Sequence, residues 1–207
     1  MFLLPLLKRL ALASSALLMF AFMQVAMADA STITVDTFSD AALGDGTGDG
    51  FCDLREAVYA TNNPGEVSDV CEVASVDNVI VFDASTDDEE LILIDEIEIT
   101  SDVTILGNGT VVDDGYGTYI SGDDLTRLFV IGDGATVTFD NFTIANGYNS
   151  ENGGGIYVGE GSDLDLVDML IDTNHADLDG GASYVTTDSY LNGYGSQVSN
   201  NYAEEGH

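Results

Sequence analysis

From Val137 to its end the chain repeats with a period of 27 residues and no gaps. Val137, Leu164 and Leu191 fall in line, as do Ile144, Ile171 and Val198, then Gly153 with Gly180, Gly154 with Gly181, and Tyr157 with Tyr184. A fixed period of this length implies a solenoid, in which each copy is one coil that buries its inner face against its neighbours. Apolar residues recur two apart (Val137/Phe139, Leu164/Leu166), so each coil is built of strands with one side buried. Gly147, Asn174 and Asn201 share one repeat position. Gly and Asn both tolerate a left-handed backbone, so that position is predicted to be a sharp bend. The third copy stops at His207, where earlier copies have Gly. Its closing strand is absent, so the sequence is expected to be a fragment.

Upstream the pattern stays β. Ser31–Asp36 alternates, and from Val79 onward short apolar runs (VIVF, LILI, IEI, VTIL, TVV, LFVI, TVTF, FTIA) are punctuated by Gly, Asn and Asp. One helix is predicted outside the leader, over Asp53–Asn62. Asp53 is its N-cap, Glu56 follows three residues on, and Leu54, Ala57 and Val58 form an apolar stripe that Asn62–Asn63–Pro64–Gly65 ends.

Residues 1–28 read as a secretory signal. Lys8 and Arg9 precede an uncharged apolar run over Leu10–Met23, and Ala26–Met27–Ala28 or Ala28–Asp29–Ala30 offers a cleavage site. The run is short of the roughly 20 residues a membrane span needs, and no second such stretch follows, so the mature chain is expected to have no transmembrane helix. Export permits a disulfide between Cys52 and Cys71, the only cysteines. Such a bridge contributes roughly 3 kcal/mol if its geometry allows. The alternatives are two free thiols or a metal pair, although no neighbouring histidine completes a zinc site.

Of the chain's four bases only Arg55 and Arg127 lie beyond the leader, against 37 acids. Such a surface repels phosphate backbones and anionic headgroups, which excludes a nucleic-acid or polybasic membrane-surface role. It suits a saline or calcium-rich medium that screens the charge.

Phe51–Cys52–Asp53–Leu54–Arg55–Glu56–Ala57–Val58, with Ala60–Thr61–Asn62, resembles the CSLREA-type signature that opens many secreted bacterial right-handed parallel β-helix proteins. Asp53 stands where that family has Ser, and Val58 where it has Ile. Ile171–Asp172–Thr173–Asn174 with Gly180–Gly181–Ala182, and Asn152–Gly153–Gly154–Gly155–Ile156–Tyr157, resemble the polymorphic outer-membrane-protein repeat. These resemblances imply an all-β, pectin-lyase-like, right-handed parallel β-helix whose short N-terminal helix covers the first coil. Residues 29–78 would form the capping segment and 79–207 the coils. The implied role is surface adhesion or cell-envelope structure, secreted or outer-membrane-associated, toward a carbohydrate or protein ligand. The alternative is a polysaccharide-active lyase or glycosidase, or a carbohydrate-binding module.

Asp45–Glu56 reads as an isolated calcium loop. Asp45, Asp49 and Asp53 fall at the first, fifth and ninth positions of an EF-hand loop, Gly50 at the sixth and Glu56 at the twelfth, with the carbonyl of Phe51 as a further ligand. Thr47 departs from the pattern. A solvated acidic turn closed by an Asp53–Glu56 capping box needs no metal, and the two roles are compatible. Asp163, Asp165, Asp168, Asp172, Asp177 and Asp179 are expected on a solvated face, because the calcium-binding nonapeptide repeat is absent. Catalytic signals are poor. Arg127, the one base in the β region, is expected to pair with Asp123 or Asp124. His175 is expected to be isolated and exposed, and no Ser-His-Asp pattern, phosphate loop or H-E-x-x-H occurs.

Overall fold

The computed structural model describes residues 31–40, 50–66, 71, 78–83, 90–110 and 117–206. Residues 1–30, which include the expected secretory signal, most of the Asp40–Gly50 loop and the TVV run beyond Thr110 lie outside these residues.

The chain is a parallel β-solenoid. It starts with β1 (Ser31–Val35) and helix α1 (Leu54–Asn62). The first turn then runs β2 (Asn78–Phe82), β3 (Glu90–Ile92) and β4 (Ile97–Ile99), and the second β5 (Val103–Leu106), β6 (Tyr119–Ser121) and β7 (Phe129–Ile131). The third comprises β8 (Thr136–Asp140), β9 (Thr143–Ala145), β10 (Tyr148–Asn149) and β11 (Ile156–Val158). The fourth comprises β12 (Asp163–Val167), β13 (Leu170–Asp172), β14 (His175–Ala176) and β15 (Ser183–Val185). A last part-turn adds β16 (Tyr190–Tyr194), β17 (Gln197–Ser199) and β18 (Tyr202–Ala203).

Equivalent strands stack into four parallel sheets, ordered β1-β2-β5-β8-β12-β16, β3-β6-β9-β13-β17, β10-β14-β18 and β4-β7-β11-β15. Val137, Leu164 and Leu191 pair in register, as do Ile144, Ile171 and Val198, which is the 27-residue period turned into a ladder. Earlier turns differ in length: Asn78 pairs with Val103 and Val103 with Val137, which hides the repeat there. Inward rows form one core, in which Phe129, Phe139 and Phe142 pack with ring centroids 4.8 and 5.4 Å apart.

The corners recur with the same period, at a different residue from the one expected. Gly147, Asn174 and Asn201 are absent from the left-handed positions, which fall one residue earlier at Asn146 (φ 53°), Thr173 (φ 56°) and Asn200 (φ 53°). Asn174 and Asn201 instead form a hydrogen-bonded ladder, Asn174 buried and Asn201 half-buried. The Gly147 amide donates to Asn174 Oδ1 at 2.8 Å, and the Asn174 amide and Nδ2 both donate to Asn201 Oδ1 at 2.8 Å. Gly fits the first rung for a steric reason: a Cβ on Gly147 would lie 2.4 Å from both the Gly154 carbonyl oxygen and Leu128 Cδ1.

Helix α1 closes one end. Leu54, Ala57, Val58, Ala60 and Thr61 are buried, and the helix packs against β1, β2 and β4. Its polar side chains also serve β4, the last strand of its sheet. Asn62 Nδ2 donates to the Glu98 carbonyl at 2.8 Å while Asn62 Oδ1 accepts from the Thr100 amide at 2.9 Å. Arg55 donates to the carbonyls of Glu96 and Asp95. An edge whose backbone groups are taken this way offers little to a further strand. At the opposite end Tyr190, Tyr194, Val198 and Tyr202 are exposed.

Candidate functional site

At the N-terminal end the predicted helix start is present. Asp53 Oδ1 accepts from the Glu56 amide at 2.8 Å, and Glu56 Oε2 accepts from the Asp53 amide at 3.3 Å, closing a capping box. Asp53 is buried while Phe51 is exposed. The loop is tied to β1 because Cys52 donates its amide to Asp36 Oδ1 and accepts from the Asp36 amide at its carbonyl. Cys52 and Cys71 form the expected disulfide, with Cα atoms 5.3 Å apart. Of the proposed calcium ligands, Phe51, Asp53 and Glu56 are therefore neighbours at the helix start. Asp45 and Asp49 lie outside the described residues.

Both arginines of the β region and its cap are engaged. Arg55 holds Asp40 through two 2.8 Å hydrogen bonds, and the Asp40 side chain is almost wholly buried. Arg127 does not pair with Asp123 or Asp124. Its Nε and Nη2 donate to Glu96 Oε2 at 2.9 and 2.6 Å, Nη1 donates to the Asn152 carbonyl, and the guanidinium lies 5.2 Å from the Tyr157 ring centroid. Glu96 directly precedes β4 in the preceding turn, whose partner in the sheet is β7, so only the stacking supplies this neighbour.

On the repeats, alternation turns Asp163 and Asp165 outward beside buried Leu164 and Leu166, as expected. Two of these acids, Asp165 and Asp172, are held from the next coil. Asp172 Oδ1 accepts from Ser199 Oγ at 2.6 Å and Asn200 Nδ2 at 2.8 Å, and Oδ2 accepts from Thr173 Oγ1. Partial burial pulls its pKa up, but these hydrogen bonds to the charged form outweigh it and hold the carboxyl below its ordinary value. Asp140 is the opposite case. Burial and then the like charge of Asp168 raise it.

The arrangement that sequence reasoning missed is at β14. His175 is neither isolated nor exposed: its register partners are Tyr148 and Tyr202. The imidazole stacks on Tyr202 with centroids 3.9 Å apart and 14° between planes, and meets Tyr148 at 5.3 Å. Its Nε2 is buried without a hydrogen-bond partner. It faces Asp177 Oδ1 at 3.7 Å and Glu204 Oε1 at 3.6 Å, both too long for a hydrogen bond. Asp177 is fixed from behind, since Tyr148 Oη donates to its Oδ2 at 3.1 Å. That bond to a carboxylate is the main reason the Tyr148 phenol is raised. Two periods together could have signalled the group. Asp177 stands two residues after His175, on the same side of the strand, and Glu204 stands 27 residues after Asp177.

Comparison of the chain with protein-family models, with curated proteins and with solved structures gives no match.

Proposed function

We propose that the chain is an exported, non-catalytic β-helix acting in surface adhesion or in cell-envelope or extracellular structure, secreted or outer-membrane-associated. The observation that carries this reading is the use made of Arg55 and Arg127, the two bases beyond residue 28. A lyase acting on acidic polysaccharide needs a cation positioned to take a proton, and Arg55 and Arg127 are each committed to a carboxylate and to backbone carbonyls. A rod of stacked coils with an acidic outer face suits contact with a carbohydrate or protein ligand. No helix among the described residues is long and apolar enough to cross a membrane. The resemblance of Phe51–Asn62 to the CSLREA-type signature, and of the coils to the polymorphic outer-membrane-protein repeat, fits a surface or secreted β-helix and does not choose between adhesion and carbohydrate activity.

Calcium belongs to this proposal. Asp45, Asp49, Asp53, Glu56 and the Phe51 carbonyl would hold one ion and tie the acidic loop to the start of α1. Asp53 Oδ1 and Glu56 Oε2 also close the capping box at the start of α1.

The test incubates the protein with immobilised neutral and acidic polysaccharides, with calcium or chelator. Retention without new reducing or unsaturated ends is the expected result. Release of such ends would establish a polysaccharide-active enzyme instead.

A further inference from the structure

We propose that His175, Asp177 and Glu204 form a binding site for one divalent transition-metal ion of the zinc type. Among the described residues this is the one group of His, Cys, Asp or Glu whose ligand atoms converge, all within 4.8 Å of one another. Three observations carry the assignment. First, Nε2 is buried and has no hydrogen-bond partner although two carboxylates face it. A buried polar atom in that position calls for a ligand. Second, the separations suit an ion between the groups. Donors about 2.1 Å from a tetrahedral zinc lie roughly 3.4 Å apart, and the two Nε2–oxygen distances are 3.7 and 3.6 Å. No two ligand atoms of the group are more than 4.8 Å apart, and the Glu204 side chain, 60% exposed, has room to turn toward the other two.

Third, the supporting shell is built. The ring plane of His175 is set by Tyr202 on one face and Tyr148 on the other, and the Tyr148 hydroxyl turns Asp177 so that Oδ1 faces the imidazole. Hydrogen bonds to a ligand's far oxygen are the usual means of orienting a metal site. One imidazole with two carboxylates selects a borderline ion over calcium or magnesium, which prefer all-oxygen sets. The site differs from the Asp45–Glu56 loop in both its residues and its ion class. Its outer side is open, because Asp177 and Glu204 are 36% and 60% exposed, so water completes the coordination.

The experiment is a calorimetric titration of the tag-free protein with zinc in excess magnesium and calcium, which fill carboxylate-only sites. A parallel cobalt titration is read by visible absorption. One saturable zinc site and a cobalt ligand-field band are expected. His175→Phe keeps an aromatic ring between the two tyrosines and removes the nitrogen, so it is expected to abolish both signals while melting as the parent does without zinc. Glu204→Gln is expected to weaken binding at least tenfold. His207→Gln, which alters the only other histidine, leaves binding unchanged. Zinc binding equal in parent and His175→Phe, binding lost with His207, or no zinc heat above the magnesium background would each overturn the assignment.

Discussion

The Asn174–Asn201 ladder offers a direct test of how the coils are held, because one chemical change can be made at a buried and at a half-exposed rung. Asn174 is fully buried. Converting it to Ala removes the acceptor of the Gly147 amide and the donor to Asn201 Oδ1, both at 2.8 Å. It also removes the donor to the Asp172 carbonyl at 3.1 Å and the longer contact to the Ile144 carbonyl. A well-made bond contributes about 1 kcal/mol and a buried orphan donor costs about 1–3 kcal/mol. With the Gly147 amide left alone inside, Asn174→Ala should cost about 3 kcal/mol. Asn201→Ala removes as many bonds, those to the Asn174 amide and Nδ2 and to the Ile171 and Ser199 carbonyls. It does so on the last part-turn, where water can replace them, so its expected cost is about 1 kcal/mol. Asn174→Asp keeps the acceptor but places a charge without its donors, and is expected to be at least as damaging as Ala. Urea unfolding followed by circular dichroism, with m unchanged, gives the comparison. Equal losses at the two rungs, or a loss under about 0.5 kcal/mol at Asn174, would refute burial of the ladder as the source of its strength.

Thr173 is β-branched and holds the left-handed corner that Asn146 and Asn200 occupy in the neighbouring coils. Thr173→Asn should therefore raise stability by about 0.5–1 kcal/mol, net of the lost bond to Asp172, and an unchanged or lowered melting temperature would count against corner strain. Asp140 has a folded-state pKa above the ordinary 3.8, from burial and then from Asp168. The folded state binds that proton more tightly than the unfolded chain, so the penalty is present at neutral pH and is relieved as pH falls through the raised value. Asp140→Asn should stabilise by up to about 1 kcal/mol at pH 7 and have no effect well below pH 3.8, as urea midpoints against pH would record. Arg55→Met leaves the nearly buried Asp40 carboxylate without its partner. It should cost about 3–5 kcal/mol, whereas Arg55→Met with Asp40→Leu should recover most of that loss in a double-mutant cycle.

How much could be seen in the sequence depended on how far apart cause and effect lie along the chain. The strands, the inward rows and the N-cap at Asp53 are local patterns of two, or of three to four, residues. The stacking of Val137 on Leu164 is written in the 27-residue period. The partner of Arg127 was not legible, because Glu96 reaches it from the preceding turn, where a different coil length breaks the period. Gly147 and Asn174 were seen to be equivalent, but propensity alone chose the wrong reason. A left-handed corner and a hydrogen-bonded amide ladder both favour Asn, and only the register shows that the corner is one residue earlier.

The same logic explains why His175 looked inert. In a solenoid each outward side chain has two sets of neighbours, those two residues away on its own strand and those one coil away. A functional group can draw one member from each set without any compact motif. His175 and Asp177 are the first kind of neighbour, Asp177 and Glu204 the second, and Tyr148 and Tyr202 flank the imidazole across coils. A chain crowded with carboxylates hides such a group in composition, since almost any window contains an acid. The distinguishing feature is the histidine, of which the chain has two. Placing that residue on the repeat lattice, rather than along the linear sequence, turns a common Asp and a common Glu into a converging set.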